Sequence, residues 1–398
     1  MYQTGKMIKN TVIIAIVFFL CWQPLVANAQ DNIDLGLGSQ SAVLMEASSG
    51  KILYAKNAEE KTAPASLTKI MTLLLAFEAM EDGRVSEEEQ VIISEKAWRT
   101  GGSQMFLNIG QKVSFGELLQ GIAIVSANDA CVAVAEHLFG SEALFVQQMN
   151  KKAQELGLIN TRFQNSSGLD EPEQYTSAMD MAKLSHYVLT KYPQVLDLFA
   201  ATSFTFDEIK QDNRNPLLGR YPGADGLKTG FTNQAGYCLV GTAQQNGMRF
   251  ITVTLNASSE NERLADTEAL LNYAFRNFQL LTVVTAGQQV TEVPVQKGEA
   301  QTVAAEALRD LKVLVPFGQE EVEQVLNLKT EITAPVQKGD HLGTLQILEN
   351  EEVIDQVELV ASHDVEKLSG FAAFRRLLGQ VLTNFWTTIV NTITGFFN

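Results

Sequence analysis

The chain has 398 residues, more than one ordinary domain holds, and its 45% hydrophobic and 19% charged residues are enough to bury two cores. A formal net charge of -16 at pH 7 repels nucleic-acid phosphates and argues against DNA or RNA as a partner. The three cysteines, Cys21, Cys131 and Cys238, form no Cys-x-x-Cys pair and no metal-ligand spacing appears, which excludes zinc ribbons and thioredoxin-like sites.

Residues 1–29 have the parts of a Sec-type signal peptide. Lys6 and Lys9 are the positive region, Val12 to Leu20 the apolar run, and Ala27-Asn28-Ala29 the cleavage site. The run is short for a membrane span, and Leu20 before Cys21 does not suit a lipoprotein signal. Residues 30–280 then alternate strand and helix patterns. A hairpin is expected from Ala42 to Glu46 and Lys51 to Ala55 around Ser48-Ser49-Gly50. A helix should start near Pro64 and carry Leu67, Ile70, Met71, Leu74, Leu75 and Phe77. Phe115 to Phe139 reads as two helices broken near Ser126, with further helices over Ser141 to Leu156 and Ser177 to Thr190. Residues 161–177 are polar and turn-rich. An extended segment, Gly223 to Thr232, precedes strands at Tyr237 to Thr242 and Phe250 to Leu255 and a long amphipathic helix from Asn261 to Phe278. The order implies an α/β (α+β) sandwich with an antiparallel sheet. Cys131 and Cys238 lie in apolar runs and read as buried free thiols.

Residues 281–362 change texture. Val290 to Val295, Leu311 to Val315, Val325 to Ile332, Leu342 to Leu348 and Val353 to Val360 are separated by turns such as Pro316-Phe317-Gly318, which predicts a small all-β domain. Residues 363–398 return to helical period. Phe371, Phe374, Leu378, Val381, Phe385, Ile389 and Ile393 share one stripe, with Arg375 and Arg376 near its start. An amphipathic helix lying on a membrane surface fits this pattern; a helix docked on the β-domain or on a partner is the competing reading.

Three motifs carry the chemistry. Ser66-Leu67-Thr68-Lys69 places a hydroxyl and an amine on one helical face, within reach of each other. A serine is a weak nucleophile until a base takes its proton. Lysine is such a base only when burial or a second cation depresses its pKa. A helix start also leaves backbone N–H groups free for an oxyanion. Ser48-Ser49-Gly50-Lys51 has the same spacing but lies in a turn, where no helical face aligns the pair. Ser126-Ala127-Asn128 interrupts an apolar run and is either a helix cap or a site; as a site, Ser126 relays a proton and Asn128 binds substrate and fixes Lys69. Ser259-Glu260-Asn261 is expected to cap the helix after it. Lys228-Thr229-Gly230 lies in a segment that reads as an edge strand able to bind an extended peptide. There Gly230 permits close approach, Lys228 supplies the second cation, and Thr229 can bond a carboxylate. Alone, it would read as an exposed lysine beside a turn.

Together these motifs resemble the penicillin-recognising serine transferases. Ala65-Ser66-Leu67-Thr68-Lys69-Ile70-Met71-Thr72, Ser126-Ala127-Asn128-Asp129-Ala130 and Asp225-Gly226-Leu227-Lys228-Thr229-Gly230-Phe231-Thr232 are similar to the D,D-carboxypeptidase branch, the low-molecular-weight penicillin-binding proteins. The small β-domain and terminal helix match that branch too. The resemblance implies Ser66 as acylated nucleophile, Lys69 as base, Ser126 and Asn128 in proton relay and substrate placement, and Lys228 and Thr229 at the terminal carboxylate. It implies an oxyanion hole of the Ser66 and Phe231 N–H groups, and Arg263 as completing the carboxylate site, although a solvated helix residue is the plainer reading of Arg263. It implies peptidoglycan stem peptides as substrate, β-lactams as covalent inhibitors, no cofactor, no metal, and a place on the outer face of a bacterial cytoplasmic membrane. Ala127 stands where relatives often have Gly and Phe231 where some have His. Rival readings are a D,D-endopeptidase, a β-lactamase using the acidic run Glu171-Pro172-Glu173, and a non-catalytic wall scaffold. No Gly-x-Ser-x-Gly accompanies the histidines, and His137 on its apolar helix reads as a core residue.

Overall fold

The computed structural model describes residues 33–370 and Trp386. The signal-peptide expectation and nearly all of the terminal-helix expectation lie outside the described residues. The chain divides into two units, residues 1–36 and 37–398, and the named elements lie in the second.

Strand β1 (Ser41–Glu46) is buried at all six positions. It lies inside a five-stranded antiparallel sheet, between β2 (Ile52–Lys56) and β9 (Met248–Ala257), with β8 (Gly236–Gln245) and β7 (Ala224–Thr232) beyond β9. Alternation along the strand divides its side chains between two covered faces. Val43 and Met45 join a large helical core. The opposite face carries Phe250, packed edge-on against Phe275 of α8 (Glu260–Asn277), and Thr254, 3.2 Å from Thr267 on the same helix.

The helical core begins with a 3-10 turn, Ala65–Thr68, that runs into α1 (Lys69–Glu81). Helix α1 is buried almost all round, as its run of Ile, Met, Leu and Phe requires. Next come β3 (Gln90–Ile92), α2 (Glu95–Arg99), β4 (Lys112–Ser114) and α3 (Phe115–Gln120), the last opened by a Ser114–Glu117 capping box. A π turn, Gly121–Val125, ends at Ser126 in the left-handed conformation (φ 64°) before α4 (Asn128–Phe139). The break expected near Ser126 is therefore present. Helices α5 (Glu142–Glu155), α6 (Ala178–Lys191) and α7 (Val195–Phe199) and the hairpin of β5 (Ser203–Phe206) and β6 (Ile209–Asp212) complete this part. Ser259 caps α8 by accepting from Glu262 N at 3.2 Å, as expected.

The second core is all β. Strands β10 (Phe278–Val284), β11 (Gln289–Gln296), β12 (Thr302–Ala307), β13 (Leu311–Pro316), β14 (Glu323–Leu328), β15 (Ile332–Thr333), β16 (His341–Glu349) and β17 (Glu352–Ala361) form a six-stranded sheet, β14-β16-β17-β12-β11-β15, and a separate β10–β13 pair. Residues 363–368, expected to open the terminal helix, instead belong to this part. Val365 pairs with Val336, Lys367 with Gly298, and Leu368 N donates to Lys297 O at 2.7 Å. Edge hydrogen bonding overrides the weak helical pattern there. Lys51, in the β1–β2 turn, meets Glu349 at the β16–β17 turn at 2.6 Å.

Candidate active site

Between the 3-10 turn, the α3–α4 break and edge strand β7 lies a cavity of about 430 Å³, lined by Ser66, Ser126, Thr229, Gly230, Phe231 and Arg263 among others. Lys69, Asn128 and Lys228 are buried next to that lining. The nine residues singled out in the sequence thus converge. Ser103, Arg214, Tyr237 and Glu260 also line the cavity.

Backbone geometry presents Ser66. Ala65, just before it, has φ 46°, a conformation unfavourable for a residue with a Cβ. Strand β7 runs so close that a Cβ on Gly230 would lie 3.3 Å from Ser66 N and 3.1 Å from Ala65 Cβ, which is what a glycine at that position allows. Ser126 is also in the left-handed region, and its buried Oγ has no hydrogen-bond partner among the described residues.

Lys69 Nζ lies 2.9 Å from Ser66 Oγ, 2.8 Å from Asn128 Oδ1 and 2.6 Å from the Ser167 carbonyl oxygen. Asn128 Nδ2 donates to Gly101 O at 2.8 Å, so the amide oxygen is the end facing Lys69. A neutral amine has two N–H donors and one lone pair. The two obligate acceptors, Asn128 Oδ1 and Ser167 O, take the donors and leave the lone pair for the Ser66 hydroxyl. Burial lowers the Lys69 pKa to about 8, helped by the charge of Arg214 and opposed by Asp129. About a tenth of the amine is therefore free at pH 7, far more than for an ordinary lysine. The sequence reading assigned the second cation to Lys228. Arg214, which that reading did not single out, is the cation that depresses Lys69. Lys228 is itself lowered well below the usual lysine range, by burial first and then by Lys69 and Arg214.

Arg263 is 4% exposed, and its Nε has no partner among the described residues. Its guanidinium lies 5.7 Å from the Tyr237 ring, and that ring lies 4.4 Å from the Phe231 ring, tilted 34° to it. A solvated helix residue is thus the wrong reading of Arg263. A buried guanidinium short of acceptors on a cavity wall suits an incoming carboxylate.

The decoy motif is elsewhere engaged: the Ser48 and Ser49 hydroxyls donate to Glu46, and Lys51 pairs with Glu349. Glu171 and Glu173 are exposed, do not line this cavity, and Glu173 meets Arg162 at 3.3 Å. His137 is not in the core. It sits half-buried, 3.0 Å from Glu89 and beside Phe115, because the polar end of its helix reaches the surface. Cys131 and Cys238 are buried free thiols.

Residues 27–259 match the family model described as D-alanyl-D-alanine carboxypeptidase, and residues 278–367 match the C-terminal domain of penicillin-binding protein 5. The chain belongs to the D-alanyl-D-alanine carboxypeptidase family. It is 39% identical to the Bacillus subtilis D-alanyl-D-alanine carboxypeptidase DacF over 387 residues, which is 94% of this chain and 98% of that one. Among solved structures, penicillin-binding protein 5 from Haemophilus influenzae is 37% identical with a TM-score of 0.69, covering 83% of this chain and 98% of that one. Penicillin-binding protein D2 from Listeria monocytogenes, solved in an ampicillin-bound form, is 33% identical with a TM-score of 0.57, covering 61% of this chain and 100% of that one. Membership makes this chain a serine-type D-alanyl-D-alanine carboxypeptidase with a penicillin-binding fold.

Proposed function

We propose that Ser66 is the nucleophile of this carboxypeptidase and Lys69 its base. The observation that carries the assignment is the hydrogen-bond set of Lys69, which leaves one lone pair for the Ser66 hydroxyl. Ser66 Oγ attacks the carbonyl between the last two D-alanines of a stem peptide as its proton passes to Lys69 Nζ. The developing oxyanion lies against the backbone N–H groups of Ser66 and Phe231. The unpartnered Ser126 hydroxyl relays the proton to the departing amine, and D-alanine leaves. Water then attacks the acyl-enzyme and restores Ser66. Asn128 holds Lys69 and the substrate backbone, and the peptide runs beside edge strand β7 at Gly230. Lys228, Thr229 and Arg263 attract the terminal carboxylate.

That carboxylate pole favours a free C-terminal D-alanine, hence carboxypeptidase over endopeptidase action. A β-lactamase needs a further base for deacylation, and Glu171 and Glu173 lie away from the cavity. Export by residues 1–29 to the outer face of the cytoplasmic membrane, and surface attachment by the stripe Phe371 to Ile393, complete the proposal. Residues 30–277 form its catalytic domain and residues 278–368 its β-domain, with the apolar stripe from Phe371 onward as the anchor.

Mass spectrometry after penicillin treatment, beside an assay of D-alanine release from a D-Ala-D-Ala peptide, tests the roles. The wild type should carry a long-lived adduct on Ser66 and release D-alanine. Ser66→Ala should lose both to background with an unchanged Tm. Retained turnover in Ser66→Ala would sink the assignment.

A further inference from the structure

We propose that Glu142 is a positioning residue for acylation: its carboxylate locks the 165–168 loop so that the Ser167 carbonyl holds the Lys69 amine in register with Ser66. The proposal rests on the reading of Ser66 as nucleophile and Lys69 as base.

Glu142 is the first residue of α5, and its side chain is 12% exposed. Glu142 Oε1 accepts from Ser166 N at 3.0 Å and from Ser166 Oγ at 2.7 Å, and Oε2 meets Lys96 Nζ at 2.7 Å. Thr72 Oγ1, on the turn of α1 that follows Lys69, donates to Ser166 O at 2.6 Å. The next carbonyl along the chain, that of Ser167, accepts from Lys69 at 2.6 Å. Asn165 Oδ1 closes the loop by accepting from Gly168 N at 2.7 Å. On its other side the loop has no room: a Cβ on Gly168 would lie 1.7 Å from Ala65 O, against the turn that bears Ser66. The loop is therefore wedged between the nucleophile's turn and the base, and Glu142 supplies its charged tether. Hydrogen bonds to a carboxylate are about twice as strong as neutral ones. The tether acts one residue before the carbonyl that orients the amine. A displacement near 1 Å at a reacting pair costs up to about a hundredfold in rate.

The test is stopped-flow acylation of the full-length protein by penicillin, separating the pre-acylation Kd from the acylation rate constant, with Tm measured alongside. Glu142→Gln keeps the shape, removes the charge and presents an amide to Ser166. Its acylation rate constant should fall by about tenfold to a hundredfold, with Kd unchanged and folded protein retained. Ser166→Ala deletes one of the two hydrogen bonds and should give a smaller fall, so the proposal stays testable if Glu142→Gln folds poorly. Lys96→Met, which leaves the carboxylate on Ser166, should acylate within about twofold of the wild type, because the Lys96 end of the pair is 55% exposed and screened by water. An unchanged rate constant in Glu142→Gln or Ser166→Ala, or a fall that only tracks weaker binding or lost folded protein, overturns the proposal while the wild-type Ser66 adduct keeps the nucleophile reading standing. A wild type with no adduct on Ser66 overturns both.

Discussion

Lys69 gains its reactivity from where it is held. Its amine is buried and meets two oxygen acceptors that cannot donate, so its free form has one orientation. With Lys69 as the proposed base, acylation requires the neutral amine, so the rate should climb as pH rises through about 8. The positive charge of Arg214 disfavours the ammonium form. Arg214→Gln should therefore raise the Lys69 pKa and move the climbing limb of the penicillin acylation profile to higher pH. The movement is small, because Arg214 is exposed and water screens it; a limb that moves to lower pH contradicts the electrostatics. The side chains of this network were legible in the sequence because hydroxyl, amine and amide chemistry have residue names. The Ser167 and Gly101 carbonyls were not, since every residue carries a carbonyl and only folding selects which one meets Lys69. Arg214 and Glu142 sit in no motif and become visible only through what they touch.

Among the elements, the 3-10 turn, edge strand β7 and the 165–168 loop act as three walls pressed together at Ser66. Gly168 has φ 89°, and any side chain there would collide with the Ala65 carbonyl. Gly168→Ala should cost about 2 kcal/mol or more in stability and slow acylation beyond what the lost folded fraction explains; denaturant melts paired with acylation rates check this. A neutral substitution would mean that the loop can retreat. Long periodic elements such as α1, α8 and the β8–β9 pair were readable from hydrophobic spacing. Helices α2 and α7, with only five residues each, gave too little period to read. Strand β12, Thr-Val-Ala-Ala-Glu-Ala, was missed because alanine lacks strand preference; Ala305, fully buried opposite Thr291 and Ala361, is set by pairing instead.

At the scale of the whole molecule, the candidate site and the proposed anchor occupy different stretches of chain. The β-core keeps its hydrogen bonding through Leu368, and the apolar stripe begins at Phe371. Deleting residues 371–398 should move the protein from the membrane pellet to the supernatant while penicillin acylation stays unchanged; a truncated protein that still pellets contradicts the anchor. The Lys51–Glu349 contact links the catalytic part to the β-core, but both side chains are about 40% exposed, so its removal should barely move Tm.

The pairing of β1 has a consequence for how the chain must mature. Val43 lies opposite Val253, so a strand made near the start of synthesis finds its main partner only after some two hundred further residues exist. Such distant pairing delays folding, because loop closure must come before the contacts that reward it. The sheet of the catalytic core therefore cannot close until β9 has been made, and this delay suits the proposed export, which needs extended polypeptide.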